Sequence, residues 1–125
     1  MQKLYIIRGV PGSGKTTLAQ QLAGSNYFEA DQWMTSPDGT YKFDPSRLGY
    51  CHRMCQQAVA GALDSGAAVV AVSNTFVKRR DFLPYVRLAE DRGVEVEIVI
   101  CDGRFGNVHG VPEATVERMR REFQM

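Results

Sequence analysis

No stretch of this sequence approaches the apolar length of a membrane-spanning helix. Its first residues, Met1-Gln2-Lys3, lead directly into a strand-like apolar run and do not read as an export signal. Cysteine is sparse. Cys51, Cys55 and Cys101 form an odd set, and without an export signal they are expected to be free thiols in a reducing cytoplasm. An excess of one charge is lacking as well. Lys and Arg number 15 against 14 Asp and Glu, a formal charge of +1. No global field therefore draws in nucleic acid, and any such contact must rest on a local patch. Repeats, low-complexity tracts and linkers are also missing, and 125 residues is the length of one domain.

The remaining pattern is an alternation of strands and helices. Residues 3–8 read as a buried strand, and residues 15–23 as a helix ended by Gly24. Residues 27–30 form a second short strand with Asp31 at its end. Asp44 reads as an N-cap with Pro45 at the first helical position, starting a helix to about Ser65 with Leu48, Cys51, Cys55, Val59, Ala62 and Leu63 on one side. Residues 67–72 are apolar throughout, as in a strand buried on both faces. A helix over 81–92 follows, then a strand over 94–101 with one end partly solvated, a Gly-rich loop over 102–110 and a helix over 112–123. Such alternation predicts an α/β protein with a short, mostly parallel sheet of about four strands flanked by helices in three layers. Ligands on such sheets bind at the carboxyl ends of the strands.

The loop after the first strand is Gly9-Val10-Pro11-Gly12-Ser13-Gly14-Lys15-Thr16. It matches G-x-x-x-x-G-K-[ST] at every fixed position and lies between strand and helix, the context the motif requires. The glycines let successive N–H groups curl around phosphate oxygens, and the helix N-terminus faces the same anion. Lys15 reaches toward the β- and γ-phosphates, and the Thr16 hydroxyl can hold Mg²⁺. Pro11, Ser13 and Thr17 complete the candidate ATP-binding set. Arg8, just before the loop, either touches ligand or is solvated.

Two other functions of such loops lack their sequence marks. No Asn-Lys-Asp guanine-reading motif of a regulatory GTPase is present. A nucleotide-driven motor needs an acid at the end of an apolar strand, and here that strand runs into Val72-Ser73-Asn74-Thr75. A kinase needs less, because its loose transition state is served by positioning and charge neutralisation. Asp31 is the candidate to orient an acceptor hydroxyl and take its proton; a helix cap or a ligand to Mg²⁺-bound water is the competing reading. Glu29 is a weaker candidate on the same face. Arg104, in the Gly-rich loop, is the candidate to close over the transferring group as a lid residue, against the plainer reading of a solvated arginine. His109 in that loop contacts phosphate or acceptor, or caps the loop.

Taken together, "IIRGVPGSGKTTLA", "FEADQWM", "YKFDPSRLGYCHRMC", "VVAVSNTFVKRRDFLPYVRLA" and "NVHGVPEATVERM" resemble the kinase domain of phage polynucleotide kinase and related AAA-type ATP-binding P-loop domains. The stretches occur in the family's order over almost the whole chain. The resemblance implies a single P-loop kinase-like domain over 1–125, with a lid at about 102–111. It implies transfer of the γ-phosphoryl of ATP, with Mg²⁺, to a hydroxyl, foremost the 5′-hydroxyl of DNA or RNA. Other acceptors are a small molecule or a hydroxymethylated base in DNA, and a non-catalytic ATP-binding adaptor is a reading of another class. Asp31 falls on the family's general base, Lys15 and Thr16 on its phosphate and Mg²⁺ positions, and Asn74 and Thr75 on acceptor-side polar positions. Asn74 stands where polynucleotide kinase has Asp, and Gly106 where the family has Arg in the lid.

Acceptor binding is further expected from Lys78 and Arg79, which with Arg80 form the strongest basic patch, and from Trp33 or Phe76 stacking a base. The plainer reading of the patch is a solvated helix start. Cys51, His52 and Cys55 lack the further ligands a structural Zn²⁺ needs, so the cysteines are expected in the core.

Overall fold

The computed structural model describes residues 1–34, 44–101 and 113–123. Four strands, β1 (Lys3–Arg8), β2 (Tyr27–Phe28), β3 (Val69–Asn74) and β4 (Glu95–Ile100), form one sheet in the order β2-β3-β1-β4. All three pairings are parallel. The α-helices are α1 (Lys15–Ala23), α2 (Leu48–Asp64), α3 (Arg79–Asp91) and α4 (Glu113–Glu122). None is long and apolar enough, among the described residues, to cross a membrane.

Strand periodicity sorts the core into two layers. Leu4 and Ile6 of β1 and Val70 and Val72 of β3 face α2 and α3, joining Cys51, Cys55, Val59, Leu63, Phe82 and Tyr85. The alternate residues Ile7 and Ala71 face Ala19, Leu18 and Leu22 of α1. Helix α2 shows why its sequence is helical: Cys51, Cys55, Val59 and Leu63 recur every four residues and are buried, forming an apolar stripe. Burying each of the larger aliphatic side chains contributes about 1.5–3 kcal/mol. Helix α1 leaves β1 over one face, and α3 leaves β3 over the other. The two connections diverge at the carboxyl ends of β1 and β3, and that divergence opens the crevice where doubly wound sheets bind ligand.

Three expectations change in detail. Strand β2 stops at Phe28, because the Ala30 N–H donates to Asn74 Oδ1 (2.8 Å) and the chain turns into a 3₁₀ helix over Ala30–Trp33. Asp31 therefore sits in that turn. Helix α3 starts at Arg79, two residues early, because Asp81 is its third residue: its carboxylate accepts from the Lys78 N–H (3.0 Å). Pro84 consequently falls in the second turn, where it forfeits a backbone bond to the carbonyl of exposed Arg80. Strand β4 is exposed at both ends rather than at one, with Ile98 at 43% and Ile100 at 39% and only Val96 and Val99 half-buried against the core, because it is an edge strand paired on one side only among the described residues. Asp44 and Pro45 do start a helical segment. Asp44 Oδ1 accepts from Ser46 N (3.0 Å), and a 3₁₀ turn over Pro45–Arg47 runs into α2.

Candidate active site

The root of the phosphate loop is fixed from both neighbouring strands. The Gly9 N–H donates to the carbonyl of Thr75 (3.3 Å) and the Cys101 N–H to that of Arg8 (2.7 Å). Gly9 has no room for a side chain: a Cβ there would meet Cys101 O at 2.6 Å and run into the Ser13 hydroxyl. Gly12 (φ 81°) and Gly14 (φ 93°) hold left-handed backbone that an L side chain rarely adopts. Gly9→Ala is accordingly expected to destabilise the fold by about 1–3 kcal/mol and to weaken nucleotide binding more than its melting shift explains. Differential scanning calorimetry beside nucleotide titration measures both; an unchanged melting curve contradicts the packing argument.

Helix α1 starts at Lys15 without a side-chain cap or an acid in its first turn. Its positive end and first amides are thus not used up by the protein's own carboxylates. The Ser13 hydroxyl, at the base of the loop, is buried with no hydrogen-bond partner. Lys15 Nζ bends back to donate to the Val10 carbonyl (3.1 Å). Burial lowers its pKa below the ordinary lysine value, while Glu29, Cys101 and Asp31 push it back up. Lys15, Glu29 and Asp31 therefore share one electrostatic site. Pro11 and Thr16 are half-buried around it, and Thr17 is exposed.

Opposite the loop, the ends of β2 and β3 form a hydrogen-bonded wall. Glu29 Oε2 accepts from Thr16 Oγ1 (3.2 Å) and Ser73 Oγ (3.4 Å). The sequence ranked Glu29 below Asp31, yet its contacts tie β2, β3 and α1 together. The parallel register carries the missed signal: Phe28 pairs with Val72, so the next residues along, Glu29 and Ser73, come side by side. Asn74 turns inward. Its Oδ1 holds Ala30 in place and its Nδ2 is buried without a well-formed partner. That geometry suits fixing the backbone beside Asp31 rather than reaching an acceptor.

The other expected acceptor-side residues separate. Phe76 is 2% exposed and stacks edge-on against Phe82 and Tyr85 at centroid distances of 6.2 and 5.6 Å, so it cannot stack a base as expected. It also holds a φ of 46°, uncommon for a bulky residue. Trp33 is half-buried against the main core. Thr75 is half-buried with its carbonyl on the loop. Lys78 Nζ donates to the carbonyl of Glu122 (3.4 Å). Arg79 and Arg80 are exposed.

Arg8 fits neither sequence reading. It is 1% exposed, its Nε donates to the Phe76 carbonyl (3.0 Å), and its guanidinium lies between the rings of Phe82 (4.7 Å) and Phe123 (4.4 Å). Burial lowers its pKa, Arg79 lowers it further and Asp81 counters. Cation–π stacking replaces part of the hydration lost there. The strand-end position of Arg8 was legible; Phe82 and Phe123 meeting over it was not.

Cys51 and Cys55 are buried in the core as expected, and His52 is exposed. Burial pushes the Cys55 thiol up to about 11, with the Tyr85 hydroxyl and Asn74 amide pulling it down. No group of three or more His, Cys, Asp or Glu is placed to hold a metal among the described residues. Arg104, Gly106, His109 and the lid expected at 102–111 lie outside the described residues.

Comparison with known proteins places the chain in a wider group. A family described as "AAA domain" matches residues 4–104. The chain is 28% identical to human (Homo sapiens) NEDD4-binding protein 2 over 97% of its own length, and spans 8% of that protein. A chain in the structure of the Pnkp1/Rnl/Hen1 RNA repair complex superposes with a TM-score of 0.73 at 19% identity, covering 98% of this chain and 44% of that one. The Mycobacterium tuberculosis APS kinase CysC, in complex with AMPPNP and APS, superposes with a TM-score of 0.57 at 16% identity, covering 94% of this chain and 67% of that one. At such identities the superpositions establish a P-loop kinase-like fold.

Proposed function

This chain belongs to the AAA-domain family, and from that premise we propose that it transfers the γ-phosphoryl group of ATP to a hydroxyl, foremost a polynucleotide 5′-hydroxyl. The observation carrying the reading is Asp31. It sits in the turn beyond β2, its backbone fixed through Ala30 and Asn74, close enough to Lys15 to act on its charge. A carboxylate in this turn, near enough to act on the charge of the phosphate lysine, supports the reading: it would orient an acceptor hydroxyl and take its proton. Phosphate binding falls to the Gly9–Thr17 loop, with Lys15 exchanging its Val10 contact for phosphate oxygens. The oxygen donors Thr16 and Glu29, the latter braced by Ser73, suit Mg²⁺. Bound there, it would neutralise charge on the transferring phosphates.

The polynucleotide acceptor is supported by the likeness to Pnkp1-containing complexes and by exposed Arg79 and Arg80 at the start of α3. Arg104 remains the proposed lid cation, and the cytoplasm the proposed location, in keeping with three free cysteines. The test is incubation with γ-labelled ATP and Mg²⁺, offering a 5′-hydroxyl oligonucleotide, a nucleoside mixture, hydroxymethylated DNA or no acceptor. Label is expected in the oligonucleotide. Label only in another acceptor moves the substrate class, and tight ATP binding with label nowhere replaces the kinase by an adaptor.

A further inference from the structure

We propose that Glu29 is the carboxylate that holds the nucleotide's Mg²⁺, through one of the cation's waters, and so supplies from β2 the acid that the end of β3 lacks. The inference rests on the nucleotide-binding reading above and adds a residue to it.

The end of β3, Ser73-Asn74, offers no carboxylate to a cation. Asn74 is committed to Ala30, and Ser73 is fully buried. Yet Thr16 Oγ1, the phosphate loop's own cation ligand, points at a carboxylate: Glu29 Oε2, 3.2 Å away. A hydroxyl has one hydrogen and two lone pairs. Because that hydrogen goes to Glu29, the lone pairs of Thr16 remain for a cation. Glu29 thus orients the ligand as well as adding negative charge beside it. Ser73 Oγ, 3.4 Å from the same Oε2, braces the carboxylate from the strand that would otherwise carry the acid. Mg²⁺ dehydrates reluctantly and keeps several waters, so a carboxylate already accepting from two hydroxyls suits contact through water.

The arrangement also separates two carboxylates. Glu29 is turned toward α1 and the phosphate loop. Asp31, two residues on, is left to the acceptor. Their roles are predicted to fail differently.

The test compares wild type with Glu29→Gln, using the full chain and the non-hydrolysable analogue AMPPNP. Affinity is measured by calorimetry with EDTA and with Mg²⁺, and Mn²⁺ binding to the nucleotide complex by electron paramagnetic resonance. In wild type the divalent ion should tighten binding. In Glu29→Gln, affinity in EDTA should hold or improve, since a negative charge is gone, while Mn²⁺ affinity falls about 10–100-fold, the usual cost of losing a supporting ligand. The double variant Glu29→Ser/Ser73→Asp moves the carboxylate to the neighbouring strand and should restore most of the metal dependence. Equal loss with and without metal makes Glu29 merely a brace between strands and overturns the inference. So does unchanged Mn²⁺ affinity. Wild type that binds no AMPPNP in either condition overturns the nucleotide reading itself, and this inference with it.

Discussion

Asp31→Asn is expected to lower the rate of phosphoryl transfer by about 10²–10⁴-fold while leaving ATP affinity nearly intact. The asymmetry follows from where the residue sits. Asp31 lies in the 3₁₀ turn after β2, and the turn is held by the Asn74 bond to Ala30, which the substitution does not touch. An amide has the carboxylate's shape but cannot take the acceptor's proton, so loss should appear in turnover. The nucleotide's phosphates are gripped by the loop and α1, so ground-state binding should persist. Single-turnover transfer beside ATP titration separates the two effects. If ATP affinity collapses with the rate, Asp31 belongs to the metal or to the fold, and the assignment of the base is wrong.

Lys15→Ala should produce the opposite pattern, with nucleotide affinity and transfer falling together, transfer by about 10²–10³-fold or more. Lys15 Nζ is desolvated by the loop and held by one neutral carbonyl, Val10 O at 3.1 Å, with Glu29 and Asp31 nearby as its counter-charges. Incoming phosphates offer that cation a far better partner than the carbonyl. Removing it leaves the loop without its own cation beside the bound polyanion, with Glu29 and Asp31 still nearby. The fold should survive, because the side chain spans no part of the core. Equilibrium nucleotide binding, circular dichroism and transfer on one preparation check the prediction. A folded variant that keeps wild-type ATP affinity contradicts the placement of phosphate at this loop.

What could be read from the sequence followed periodicity and local chemistry. The strand-to-helix alternation, the phosphate loop and the four-residue stripe of α2 are local patterns, and the structure has each of them. Element ends were less legible where a distant side chain intervenes. Strand β2 is cut short by Asn74, 44 residues away, and no window around residue 30 contains that donor–acceptor pair. The helix expected from Asp81 starts two residues earlier, at Arg79, because the Asp81 side chain reaches back to accept from the Lys78 N–H. The site divides the same way. Gly9 to Thr17 announces itself by spacing. Glu29 acquires meaning only once register sets it beside Ser73. The burial of Phe76 and the enclosure of Arg8 depend on aromatic rings arriving from α3 and from the residue after α4.

Arg8 ties together the earliest and latest parts of the described chain. Its backbone carbonyl anchors β4, its side chain bonds the residue after Thr75, and its outer ring partner is Phe123. Among the described residues β1 precedes the other strands, so its terminal guanidinium gains its second aromatic face only once Phe123 has been made. Until then a cation at the base of the phosphate loop keeps water beside it. Packing of Phe123 and support of the strand end from which the G-x-x-x-x-G-K-T loop departs are therefore coupled through Arg8, so a chain that has not yet made Phe123 lacks part of the foundation beneath that loop.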